Sequence, residues 1–136
     1  MAGRGGRTRA VNAAEGRAYL TKADEFLYAA RESLAAGNHS AAVGNAVHAG
    51  ILAADAICAV ELRTVWRGEH VQAVTHLELA GDQGKQAARH LKRLIPLKTR
   101  AEYDPAPLRS SDADSAVKAA ERMLEIAGAV VRTAPA

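Results

Sequence analysis

The sequence predicts an all-α fold, an antiparallel bundle of four main helices plus one short helix, on three observations. Apolar residues recur in steps of three and four, no segment alternates with period two over strand length, and Gly, Asn and Pro punctuate the stripes. Residues 1–11 are Gly- and Arg-rich without periodicity. They read as a disordered basic arm that adds weak, nonspecific affinity for polyanions. Asn12 and Glu15 have capping-box spacing, so the first helix starts there. Its inner stripe is Leu20, Ala23, Leu27, Ala30 and Leu34, and Gly37 stops it.

Asn38 is placed to cap a second helix. Its small-residue seam of Val43, Val47, Gly50, Ala54, Ile57 and Cys58 suits close helix contact. His48 and Asp55 lie two turns apart on another stripe of it, either hydrogen-bonded inside the bundle or facing a partner. After the segment "RTVWRGEH" (63–70) a short third helix is expected from about Glu69 to Ala80, then a turn at "GDQG" (81–84). The fourth helix turns Ala87, Ala88, Leu91, Leu94 and Ile95 inward, with a kink or early end at Pro96. "EYDPAPLRSS" reads as a loop, because prolines and the residues before them resist helix. Ser111 with Asp114 caps the last helix, whose apolar side runs from Ala113 to Val131. The expected domain is 12–132, followed by a tail at 133–136.

A chain of 136 residues supports one such domain, burying roughly two thirds of its unfolded surface. A single cysteine, Cys58, excludes an intramolecular disulfide and any multi-cysteine zinc site, in keeping with a reducing cytoplasm. The basic start is followed by no apolar stretch, and the longest apolar run, 49–60, is broken by Asp55. Neither export nor membrane insertion is expected. Net charge is +3, but its distribution is more informative. Lys and Arg are absent from 32–62, whereas Lys85, Arg89, Lys92, Arg93, Lys98 and Arg100 crowd a span without any acid. That span is either a solvated helix face or a surface for anions such as RNA.

Several chemistries are excluded by spacing. Gly81, Gly84 and Lys85 are too close for a phosphate loop, and Gln86 stands where a magnesium-binding hydroxyl belongs. No two histidines lie at i, i+4, so no helical zinc site is expected; neither metal nor cofactor is called for. Cys58, amid apolar residues, is core filler rather than a nucleophile. What remains is Arg63 and His70, a permanent cation and a titratable imidazole at the two ends of one loop. The helix dipole at the N-terminus where His70 sits favours a neutral ring able to accept a proton near neutral pH. Such a pair suffices for RNA cleavage, with His70 moving protons and Arg63 stabilising the phosphorane. Arg67 offers a second guanidinium. Trp66, the single tryptophan, either stacks on a base or plugs the bundle or a subunit interface. A DNA-binding helical protein ranks lower, because no helix carries the Arg, Asn and Gln pattern that reads bases.

From about Asn12 to Arg132 the chain resembles a HEPN domain, the higher eukaryote and prokaryote nucleotide-binding family of small helical proteins. The resemblance rests on "AAVGNAVHAGILAADAI", "GEH", "AARHLKRLIPLKTRAEYD" and "DADSAVKAAERMLEIA". It implies a bacterial cytoplasmic protein of a toxin–antitoxin or defence locus. Many such proteins are metal-independent endoribonucleases whose motif is an Arg and a His separated by four to six residues. Arg63 and His70 match that motif at its upper spacing, whereas Arg67 and His70 are too close. Thr64 stands where the family favours a polar residue such as Asn, and apolar Val65 and Trp66 follow it. The resemblance further implies a homodimer in which two Arg–His loops line one cleft, and Arg67 with the fourth-helix cations drawing in RNA. Other members act as noncatalytic modules binding a nucleotide or a nucleotidyltransferase-type antitoxin, and an "AEY" like 101–103 also occurs in members not established as nucleases.

Overall fold

The computed structural model describes residues 7–135. Along the chain lie β1 (Thr8–Ala10), α1 (Ala13–Ala35), α2 (His39–Glu61), β2 (Thr64–Trp66), α3 (His70–Glu78), α4 (Gly81–Tyr103) and α5 (Ser110–Arg132). Four long helices and one short one form the all-α bundle. The centre is α2, which packs against α1, α4 and α5, while α3 lies chiefly on α4.

Composition explains why α2 is central. Most of its alanines, with Val43, Val47, Gly50 and Ile57, are buried, and from Leu52 to Val60 every residue is buried, so its C-terminal half has no wet face. A Cβ on Gly50 would sit 2.6 Å from Leu94 Cδ1 and 3.2 Å from Met123 Sδ, so any side chain there would have to push these two core residues aside. Leu91, Leu94 and Met123 fill the space around it at 0% exposure, each contributing about 2–3 kcal/mol of burial. By length and apolarity α2 also passes as a membrane span, but 78% of that window is buried inside the bundle.

The termini of α1 follow from local chemistry. The Glu15 amide donates to Asn12 Oδ1 at 2.9 Å, and the Asn12 amide donates to Glu15 Oε1 at 3.1 Å. Two otherwise orphaned N–H groups are thus satisfied, and Gly37 reverses the chain at φ +78°. Asn12→Ala is expected to cost about 1 kcal/mol, read from a urea unfolding curve; an unchanged midpoint would show that the cap contributes nothing.

The structure corrects several expectations. Residues 1–6 lie outside the described residues, but Thr8–Ala10 are ordered, pairing antiparallel with Thr64–Trp66 in the register Arg9↔Val65. The pairing is anchored by Val65, which is 0% exposed. "GDQG" is not a separate turn. Gly81 alone reverses the chain at φ +77°, and Gly84 already belongs to the first turn of α4. Nor does α4 end at Pro96, since it runs on to Tyr103. Pro96 is exposed, a position where solvent can satisfy the carbonyl that a proline leaves unbonded. Only 104–109 is loop, and α3 is shorter than expected, His70–Glu78. The last helix begins earlier than the Ser111 cap, with the Arg109 amide donating to Asp112 Oδ2 at 3.2 Å. Asn38 occupies the N-cap position of α2 but makes no side-chain capping bond.

Candidate functional site

The segment from Leu62 to His70 leaves the C-terminus of α2, adds β2 to the small sheet and enters α3. Arg63 is the pivot. At φ +59° it adopts the left-handed conformation that ends helices, at a cost of about 1–2 kcal/mol for a residue with a Cβ. Its exposed side chain folds back so that Nε donates to the Val60 carbonyl at 3.3 Å, satisfying an orphan acceptor at the negative end of α2.

The next residues turn inward. Val65 is buried, and half-buried Trp66 donates from Nε1 to the Glu69 carbonyl at 2.8 Å, with its ring centroid 5.9 Å from that of His76. Trp66 thereby clamps the loop to α3 while its ring also lines the cavity described below. The clamp dictates Gly68, where a Cβ would come within 2.5 Å of Trp66 Cζ2.

Arg67 reaches across the top of α2. Nη1 donates to Asp55 Oδ2 at 3.3 Å and to the Trp66 carbonyl at 2.8 Å, and Nη2 donates to the Tyr19 hydroxyl at 3.1 Å. The same hydroxyl accepts from Arg9 at 2.7 Å, so β1, α1 and the loop are tied together at one phenol. Asp55 is 7% exposed, and burial pushes its carboxyl up to about 6 against the partial relief given by Arg67. His48 is not its partner. That ring is exposed and stacks on Phe26 at 4.1 Å.

Folding therefore raises the Asp55 carboxyl from 3.8 to about 6. The folded state keeps a proton that the unfolded chain releases between about pH 4 and 6, so this contribution is full at low pH and is lost as pH rises through about 6. Asn cannot titrate. Asp55→Asn should therefore gain roughly 2–3 kcal/mol relative to wild type between about pH 4 and 7.5. Urea titrations of both proteins across that range check the sign, and a difference that is flat with pH contradicts it.

Asp55, Arg67, Trp66, His70, His76 and Cys58 are among the residues lining one cavity of about 160 Å³. His70 is the first residue of α3 and half-buried. Its imidazole is held below the usual histidine value, first by burial and then by the nearby Lys98 ammonium, with Glu102 opposing. The ring is therefore a neutral proton acceptor at neutral pH. Burial and Asp55 push the Cys58 thiol up to about 12, so it is no nucleophile. His76 lies 3.4 Å from the Thr64 hydroxyl through Nε2.

Of the residues singled out in the sequence, the cavity joins His70 with Arg67, and Arg63 is not in its wall. The basic run of α4 spreads around the helix. Lys98, near His70, pairs with Glu102 at 3.0 Å, and Arg100 lies 3.6 Å from Asp112. Lys92 faces a groove with Val71, Val74, Ile95 and Pro96, and Arg89 and Arg93 line a separate cleft against α5. Lys85 is exposed near the start of α4. Sequence reasoning missed His76, Tyr19 and Arg9 as parts of the site. The one available signal was Asp55, an isolated charge in an apolar helix that required a cationic partner.

A search of curated proteins finds no match to the chain. The family model described as HEPN domain matches residues 17–130, which covers every helix that builds the cavity and its supports. Three long helices pack around the buried α2 and a short helix opens on His70, and the chain so built belongs to the HEPN domain family.

Proposed function

We propose that this HEPN protein is a metal-independent endoribonuclease acting on single-stranded RNA in the bacterial cytoplasm, within a toxin–antitoxin or defence system. The observation that carries the reading is the half-buried, neutral His70 opening on a largely apolar cavity whose wall also holds the Arg67 guanidinium. His70 takes the proton of a ribose 2′-hydroxyl as that oxygen attacks the adjacent phosphorus. The bond from phosphorus to the 5′-oxygen breaks, and the imidazolium returns its proton to that oxygen, leaving a 2′,3′-cyclic phosphate and a 5′-hydroxyl. Arginine stabilises the charge on the phosphorane. Arg67 is the guanidinium nearest this chemistry within one protomer. Arg63, on the outer side of the loop, meets the same phosphate when two copies pair and their loops line one cleft. Pairing also supplies the walls that orient RNA.

The experiment is incubation of purified protein with single-stranded RNA in EDTA, alongside Arg63→Ala, Arg67→Ala and His70→Ala. Cleavage lost in His70→Ala and reduced in Arg63→Ala supports the reading. Cleavage that survives both changes contradicts it.

A second reading is a noncatalytic module that binds a nucleotide or a nucleotidyltransferase-type antitoxin. It is favoured by the engagement of Arg67 with Asp55 and Tyr19, and by two exposed apolar residues, Val71 on α3 and Leu79 just past its end, 71% and 67% accessible. Wild-type protein that binds RNA or nucleotide without cutting is its expected outcome.

A further inference from the structure

A second cleft, of about 600 Å³, lies between α4 and α5 on a different face of α4 from Leu91, the residue that α4 contributes to the His70 cavity. Its wall holds Arg89, His90 and Arg93 from α4 and Arg122 and Glu125 from α5. Arg122 donates to Glu125 Oε1 at 3.2 Å. Among the described residues neither Arg89 nor Arg93 forms an ion pair with a carboxylate, although the two stand at i, i+4 where like charges repel. His90 records the resulting field, because its imidazole is held below the usual value by burial and then by Arg93, Arg122 and Arg89. Three guanidinia facing one concavity with a single carboxylate among them leave positive charge that the protein itself does not neutralise.

We propose that this cleft is a phosphate-binding site, with Arg89 and Arg93 gripping phosphate oxygens from one wall and Arg122 from the other. Planar guanidinium forks match a tetrahedral oxyanion through paired, charge-assisted hydrogen bonds. Among the described residues no Phe, Tyr or Trp lines the cleft, so the arginines' grip on phosphate, rather than base stacking, dominates there, and recognition depends little on nucleotide sequence. The ligand is thus a phosphate group, carried either by a small free phosphate compound or by an RNA backbone. The site stands apart from His70 and does not depend on RNA being cleaved there.

The test uses the full chain, with pyrophosphate in calorimetry and a fluorescent 2′-O-methyl RNA decamer in anisotropy. Arg89→Gln/Arg93→Gln should weaken pyrophosphate binding at least about tenfold while His70→Ala leaves it within about twofold. Both positions are exposed, and circular dichroism confirms that the double variant is folded. Pyrophosphate binding that the decamer does not displace supports the site and identifies a free phosphate compound. Displacement by the decamer supports it and identifies an RNA backbone. Pyrophosphate that fails to bind, or binds equally well to the double variant, overturns the proposal, as does a loss confined to His70→Ala.

Discussion

His70→Ala should lower the rate of RNA cleavage by ~10²–10⁴-fold, the usual worth of a positioned proton-transfer group. The substitution removes the imidazole while leaving the α3 scaffold. The ring is half-buried at the first helical position, and among the described residues it makes no hydrogen bond. Circular dichroism and the unfolding midpoint should therefore stay near wild type, which separates lost chemistry from lost fold. The pH profile provides an independent check. Because burial and Lys98 hold His70 below the usual histidine value, the base form persists at neutral pH, and cleavage should fall only as pH drops below that value. A variant as active as wild type would remove His70 from the mechanism.

Gly84→Val should destabilise the protein by about 2–4 kcal/mol, lowering Tm by about 10 °C. A Cβ at Gly84 would run into the Leu77 carbonyl oxygen and would come within 2.7 Å of Ala80 Cβ. The carbonyl cannot swing aside as a flexible side chain would, because it accepts the Ala80 amide at 3.0 Å in the turn that ends α3. To make room, α3 must lift from α4, and His70 and His76 ride on α3. Gly44→Ala is the matched control. A Cβ at Gly44 meets nothing within 4 Å, so alanine there should stabilise α2 by about 0.5–1 kcal/mol through helix propensity. Thermal melts of the two variants should move in opposite directions; a shared direction contradicts the packing described at Gly84.

The helices were legible because their signals are periodic and long. The Leu20 to Leu34 stripe and the small-residue seam of α2 repeat over several turns, and Asn12 with Glu15 marks a terminus by chemistry alone. The β1–β2 pairing was not legible, because three-residue strands are too short for alternation to show and their partners lie more than fifty positions apart. Pro96 failed as a stop because its exposed position lets water replace the lost backbone bond. At the site, His70 was recognisable from its place at a helix start. Spacing favoured Arg63 over Arg67 as its partner, but the left-handed turn at Arg63 sends that side chain back toward Val60 while Arg67, just past the strand, reaches Asp55. Sequence spacing measures distance along the chain, and one residue at positive φ reverses which neighbour faces inward.

Nuclear magnetic resonance of the histidine rings during titration with a noncleavable 2′-O-methyl RNA tests most directly whether RNA meets the protein at the start of α3. The His70 and His76 resonances should shift together on saturation. The His39 ring, whose Nδ1 lies 3.1 Å from the Leu108 carbonyl oxygen, should stay in place. RNA that binds while His70 and His76 remain unmoved would place recognition elsewhere on the bundle and contradict the assignment of this cavity as the functional site.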